Sequence, residues 1–104
     1  MAKFDWRSKM RAIPAKVQVA PRVYYQITWQ KEITDTKGNH LFGVTDLDNK
    51  IITIKMDMTP KLTVETYVHE VFHAFSEEFK LNLTENQVLG LEHIIPYYDK
   101  LFQK

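Results

Sequence analysis

Within the stretch ETYVHEVFHAFSEEF, residues 65–79, two histidines stand four positions apart, His69 and His73, with Glu70 directly after the first. On a helix, side chains at i and i+4 lie one turn apart on one face, so both imidazoles can reach a single ion. Glu70 then sits beside such an ion rather than on it, within reach of a water. Zinc lowers the pKa of its water and polarises a peptide carbonyl. A neighbouring carboxylate can take the water's proton and pass it to the leaving amine. The plainer alternative is an ordinary amphipathic helix on which the two histidines are hydrogen-bonded or solvated. Val71 and Phe72 inside the motif argue against it, because imidazoles facing a core need polar partners there and an ion supplies one.

A site with an open position for chemistry needs a third protein ligand. The chain has no cysteine, and no third histidine follows in an HxxGxxH pattern, so a carboxylate is the candidate. Glu77 is four beyond His73 and Glu78 five beyond, and both read as solvated. Glu85 and Glu92 lie seven apart on the next helical segment and share a side of it. A simple antiparallel pair of helices turning near 80–83 brings Glu92 opposite Phe72. A link that runs back along the first helix delivers Glu85 instead. Spacing leans to Glu92 and leaves Glu85 open. An oxyanion donor could come from His93, Tyr97, Tyr98 or Tyr67, with His93 preferred because it lies on the second helix. His40, beside a KGN turn, reads as exposed.

These residues need a scaffold, and 104 residues allow one small domain spanning 1–104. Apolar residues make up 44% of the chain, with six Phe, five Tyr and two Trp, which predicts a packed core rather than disorder. Residues 1–20 form a basic, partly irregular segment with room for a short helix around Phe4 to Ile13. VYYQITWQKEI from Val23 and LFGVTDL from Leu41 read as strands. Asp48-Asn49 marks a tight turn, and KIITIKMDM alternates, with Ile52, Ile54 and Met56 on one face.

The period then changes to threes and fours. Thr59 or Thr63 can cap a helix over about 60–79, with Pro60 in its first turn. KLNL ends it, and Thr84 with Gln87 forms a capping box for a last helix. Val88, Leu91, Ile95, Tyr98 and Phe102 form its apolar stripe, which Pro96 should bend or divide. The predicted class is α+β. A small three-stranded antiparallel sheet, with an extra N-terminal helix or strand allowed for, packs on the motif helix and a C-terminal helix.

Met1 to Arg22 carries Lys3, Arg7, Lys9, Arg11, Lys16 and Arg22 against Asp5 alone. Such a segment could contact nucleic acid, but no reading helix or aromatic ladder accompanies it, so it reads as a solvated arm. No apolar run is long enough to span a bilayer, and the expected setting is cytoplasmic.

The stretch FGVTDLDNKIITIKMDMTPKLTVETYVHEVFHAFSEEFKLNLTENQV resembles the minimal gluzincin-like zinc metallopeptidases of phages and mobile elements, distantly similar to the ImmA/IrrE-like peptidases. Gly43, the Asp48-Asn49 turn, Ile51 to Met56, and His69, Glu70 and His73 match the family's glycine-containing strand, turn, alternating strand and motif helix. Leu83, Thr84 and Glu85 match its "Leu-Ser/Thr-Glu" helix start. The resemblance, over about residues 20–102, implies Glu85 as third ligand beside His69 and His73. It also implies one zinc ion per chain and Glu70 as general base; it brings no particular substrate, and the expected partner is a protein or peptide of unknown identity. Two other readings are a zinc-binding regulatory or protein-interaction module without turnover, and a nucleic-acid-associated protein using the basic segment.

Overall fold

A computed structural model describes residues 5–81, 84–92 and 99–102. The chain runs through helix α1 (Trp6–Arg11), strands β1 (Lys16–Ala20), β2 (Val23–Gln30), β3 (Ile33–Thr34), β4 (His40–Leu41), β5 (Gly43–Asp46) and β6 (Ile51–Lys55). It continues into α2 (Pro60–Phe79), α3 (Glu85–Glu92) and a closing 3₁₀ turn (Asp99–Phe102). The α+β class follows the sequence, and both an N-terminal helix and an N-terminal strand are present.

The sheet itself departs from a three-stranded antiparallel meander. Among the described residues it has four strands in the order β1-β2-β6-β5, and β3 pairs only with β4 in a separate small ladder. The central pair is parallel, Gln26 to Gln30 of β2 lying against Ile51 to Lys55 of β6, whereas β1/β2 and β5/β6 are antiparallel. The reason is the excursion between β2 and β6. It holds the β3–β4 hairpin and then β5, so the chain returns to enter β6 in the direction of β2 and leaves β5 outside as an edge. The extra strand, β1, comes from the segment read as irregular after Pro14.

Alternation along the strands sets the core. Tyr25 and Ile27 of β2 and Ile52 and Ile54 of β6 point to one face and are buried, while Met56 lies past the end of β6 and is 38% exposed. Against that face lies α2, burying Val64, Tyr67, Val68, Val71 and Ala74 completely. Each of the three valines contributes about 1.5–3 kcal/mol through loss of contact with water. Val71→Asp would put an unpaired charge at the centre of this layer.

Helix α2 begins where the sequence places it. Thr59 is the N-cap, its side chain accepting from the Leu62 amide at 3.2 Å, and Pro60 follows at the first turn. It stops where Lys80 adopts a left-handed φ of 55°. The capping box then starts α3. The Gln87 amide donates to Thr84 Oγ1 (3.2 Å) and the Thr84 amide to Gln87 Oε1 (2.9 Å). Two polar ties hold α2 at its flanks. The Tyr67 hydroxyl donates to the Leu101 carbonyl. At the other end, the Tyr25 hydroxyl and the Lys50 ammonium both donate to Glu78 Oε2 at 2.9 Å. Among the described residues no helix is long and apolar enough to cross a membrane.

Candidate metal centre

The histidine pair occupies the middle of α2, where the helix passes the edge strand β5. Their side chains are 18% and 31% exposed. The two rings meet edge to face, with centroids 4.8 Å apart, and bring their Nε2 atoms to 3.1 Å. Glu85, at the first position of α3, completes a triangle. Its Oε2 is 3.2 Å from His69 Nε2 and its Oε1 is 2.8 Å from His73 Nε2. These three residues, from two helices joined by the short link after Lys80, form one group of possible metal donors.

The triangle fits a zinc ion. Zinc–nitrogen and zinc–oxygen bonds of about 2.0–2.1 Å in a tetrahedron give donor–donor edges of about 3.3 Å, and here one ligand atom from each of the three residues lies within 4.8 Å of the other two. The chemistry agrees with the distances. Two imidazole nitrogens and a carboxylate converge on one point, where a divalent cation can take a lone pair from each. Two nitrogens and one oxygen suit zinc, whereas calcium and magnesium favour oxygen throughout. The group therefore forms a His/His/Glu site, the single such group among the described residues, able to coordinate one zinc ion per chain. Among the described residues no fourth His, Cys, Asp or Glu joins it.

Glu70 lies beside this triangle and is not part of it. Its residue is only 8% exposed, and burial pushes its carboxyl above the ordinary range, against the opposing pull of the Thr45 hydroxyl and the two histidines. Thr45 Oγ1 lies 2.9 Å from Glu70 Oε1 and 3.1 Å from the Glu70 carbonyl. Strand and helix come this close because position 43 is a glycine. A Cβ there would stand 2.7 Å from Thr66 Cγ2 and 3.1 Å from Glu70 Cγ.

Two clefts open along the seam between β5 and α2, and His69 and Glu70 line both. One, of about 290 Å³, is walled by Leu41, Phe42, Leu62 and Thr66. The other, of about 510 Å³, runs past Val44, Leu47, His73 and Ser76 to Glu77 and Glu85.

The remaining candidates fall elsewhere. His93, Tyr97 and Tyr98 lie outside the described residues. Glu92 closes α3, and its side chain lies outside them too. Tyr67 is buried with its hydroxyl committed to Leu101, which removes it as an oxyanion donor. His40 is exposed on β4, as its turn predicts. Glu77 is 45% exposed and paired with Lys80, but Glu78, expected to be solvated, is held by Tyr25 and Lys50 with its side chain only 15% exposed. Thr45 escaped the sequence reading. The signal was there in FGVTDL, where alternation places a glycine and a small hydroxyl on the face that meets the motif helix. Comparison with protein-family profiles, curated proteins and solved structures finds no match to this chain.

Proposed function

We propose that this chain is a zinc-dependent peptidase of the minimal gluzincin-like kind, acting on a protein or peptide substrate in a cytoplasmic setting. The observation that carries the reading is the convergence of His69, His73 and Glu85 with the buried carboxylate of Glu70 alongside.

His69, His73 and Glu85 would hold the ion. Bound zinc supplies Lewis acidity, acidifying water and polarising a carbonyl. Glu70 accepts a proton as water adds to the peptide carbonyl carbon, and returns it to the amine nitrogen as the C–N bond breaks. A carboxyl whose proton affinity is raised by burial suits both transfers.

The neighbouring strand offers a means of holding the substrate. The Lys55 amide donates to the Phe42 carbonyl at 2.8 Å, which makes that a hydrogen-bonded pair in the β5–β6 ladder. With the register Val44↔Thr53 and Asp46↔Ile51, residues 42, 44 and 46 spend their main-chain groups on β6. The main-chain groups of Gly43 and Thr45 then face the free edge. An extended peptide can add there and lie across both clefts, with its backbone passing His69 and Glu70.

The test is digestion of a degenerate peptide library by zinc-loaded protein, read by mass spectrometry. Wild type should cut and Glu70→Gln should not, with equal zinc in both. A zinc-loaded wild type that cuts nothing beyond the Glu70→Gln background would count against turnover and leave a zinc-binding module.

A further inference from the structure

We propose that Thr45 is a positioning residue for Glu70, its hydroxyl holding the carboxylate in the orientation that faces the metal centre. The inference rests on the peptidase reading for what Glu70 does, and on geometry for how it is held.

Three observations bear on it. Thr45 grips Glu70 at two points, the side-chain Oε1 at 2.9 Å and the main-chain carbonyl at 3.1 Å. One hydroxyl proton shared between these acceptors ties the end of the side chain to its own backbone, which restricts its rotamers. Second, Gly43 takes up the stem. The absence of a side chain there lets Glu70 Cγ lie against the strand, so the carboxylate is fixed from β5 along its length. Third, the two carboxylate oxygens are treated differently. Oε1 is bound to Thr45, whereas among the described residues Oε2 has no hydrogen-bond partner and yet is not a sealed, unsatisfied atom. Glu70 also lines both clefts. The oxygen left open is the one free to exchange a proton with a molecule in the groove.

The position of Thr45 in the sheet adds a consequence. Its main-chain N–H and C=O face the free edge, while its side chain turns to α2. A peptide adding to β5 would hydrogen-bond to the residue that aims the base, so docking the substrate and stiffening Glu70 are one event at Thr45.

The test needs no known substrate. Acetohydroxamate binds a metal centre with an open position and gives a hydroxyl proton to a nearby carboxylate acceptor. Its affinity for the zinc-loaded protein therefore reads the aim of Glu70. Thr45→Val keeps the β-branched shape and loses the hydroxyl, and Thr45→Ser keeps the hydroxyl. Thr45→Val should bind acetohydroxamate about three- to tenfold more weakly, the factor expected for one lost hydrogen bond. Thr45→Ser should stay within about twofold of wild type. Zinc affinity should be unchanged in both, and Glu70→Gln should fall at least as far as Thr45→Val. Thr45→Ala supplies the same contrast should valine disturb the strand.

Wild-type affinity in Thr45→Val, or a loss in Thr45→Ser as large as in Thr45→Val, would overturn the proposal. A fall in zinc affinity would also overturn it, by showing that Thr45 serves the fold. Failure of zinc-loaded wild type to bind acetohydroxamate would remove the open site itself, and the positioning role with it. A loss confined to Thr45→Val and Glu70→Gln, with zinc affinity unchanged, is the expected result and rules out a purely structural role for the hydroxyl.

Discussion

Glu85 Oε1 lies 2.8 Å from His73 Nε2, although the two residues sit on different helices. The contact makes a carboxylate on α3 the third corner of a donor triangle whose other two corners belong to α2. Glu85→Ala should weaken zinc binding by more than about a hundredfold, since even residues behind a ligand can be worth 10–100-fold. Glu92→Ala should stay within about twofold of wild type. Titration against a competing chelator measures both, and a larger fall in Glu92→Ala would assign the ligand to the other end of α3.

Glu70→Gln separates holding the ion from using it. The amide keeps the shape of the carboxylate and its acceptor oxygen for Thr45, but loses the base. Zinc content should equal that of wild type, and turnover of any substrate found by library digestion should fall by about 10²–10⁴-fold. A Glu70→Gln enzyme that retains full rate would show that the proton moves by another route.

The close approach at Gly43 makes a methyl group costly there. Gly43→Ala places a carbon 2.7 Å from Thr66 Cγ2, and Thr66, β-branched and on a helix, has few other rotamers. The edge strand must move away from α2, at about 1–3 kcal/mol, and acetohydroxamate affinity should fall with it. Gly38→Ala meets no atom within 4 Å but has a φ of +83°. It should cost about 1 kcal/mol in stability and leave the acetohydroxamate affinity alone. Urea unfolding beside ligand titration distinguishes the two glycines.

Glu78 gives the fold a pH dependence remote from the histidines. The Lys50 hydrogen bond, and after it that of Tyr25, hold its carboxyl below the ordinary value. A carboxyl lowered in the folded state contributes stability that is present above its unfolded pKa and lost as pH falls through the folded one. Glu78→Gln should therefore be less stable than wild type by about 1 kcal/mol at pH 7. The gap should close as pH falls below the ordinary glutamate range and on through the lower folded value. Urea midpoints at neutral pH and in acid would show it, and a gap independent of pH would mean that the charge plays no part.

How much of this was legible depends on how local each signal is. Helix α2 was readable to its ends because its cap, its proline and its apolar period all lie within the segment. The histidine pair was readable for the same reason, since one helical turn fixes their relation. Glu85 was not readable from spacing. An antiparallel pair of helices pointed to Glu92, and only the similarity of Leu83-Thr84-Glu85 to a known helix start favoured the residue found against the histidines. What decides between them is how α3 is set against α2, which no periodicity encodes. The parallel β2–β6 pairing was hidden for a related reason. Strand patterns show which face is buried and not which neighbour is chosen, and here the neighbour is set by the excursion through β3, β4 and β5.

Helix α3 is eight residues long, too short to be stable alone in water. It rests on α2 with Val88 fully buried and its first residue offered to the ion. Seating the helix and filling the site are therefore linked equilibria, each favouring the other by the same factor. Val88→Ala, which removes no donor atom, should lower zinc affinity by about three- to tenfold by unseating α3. Chelation should in turn speed amide exchange in α3 more than in the core of α2. The protein would then report its metal status through the order of its own backbone.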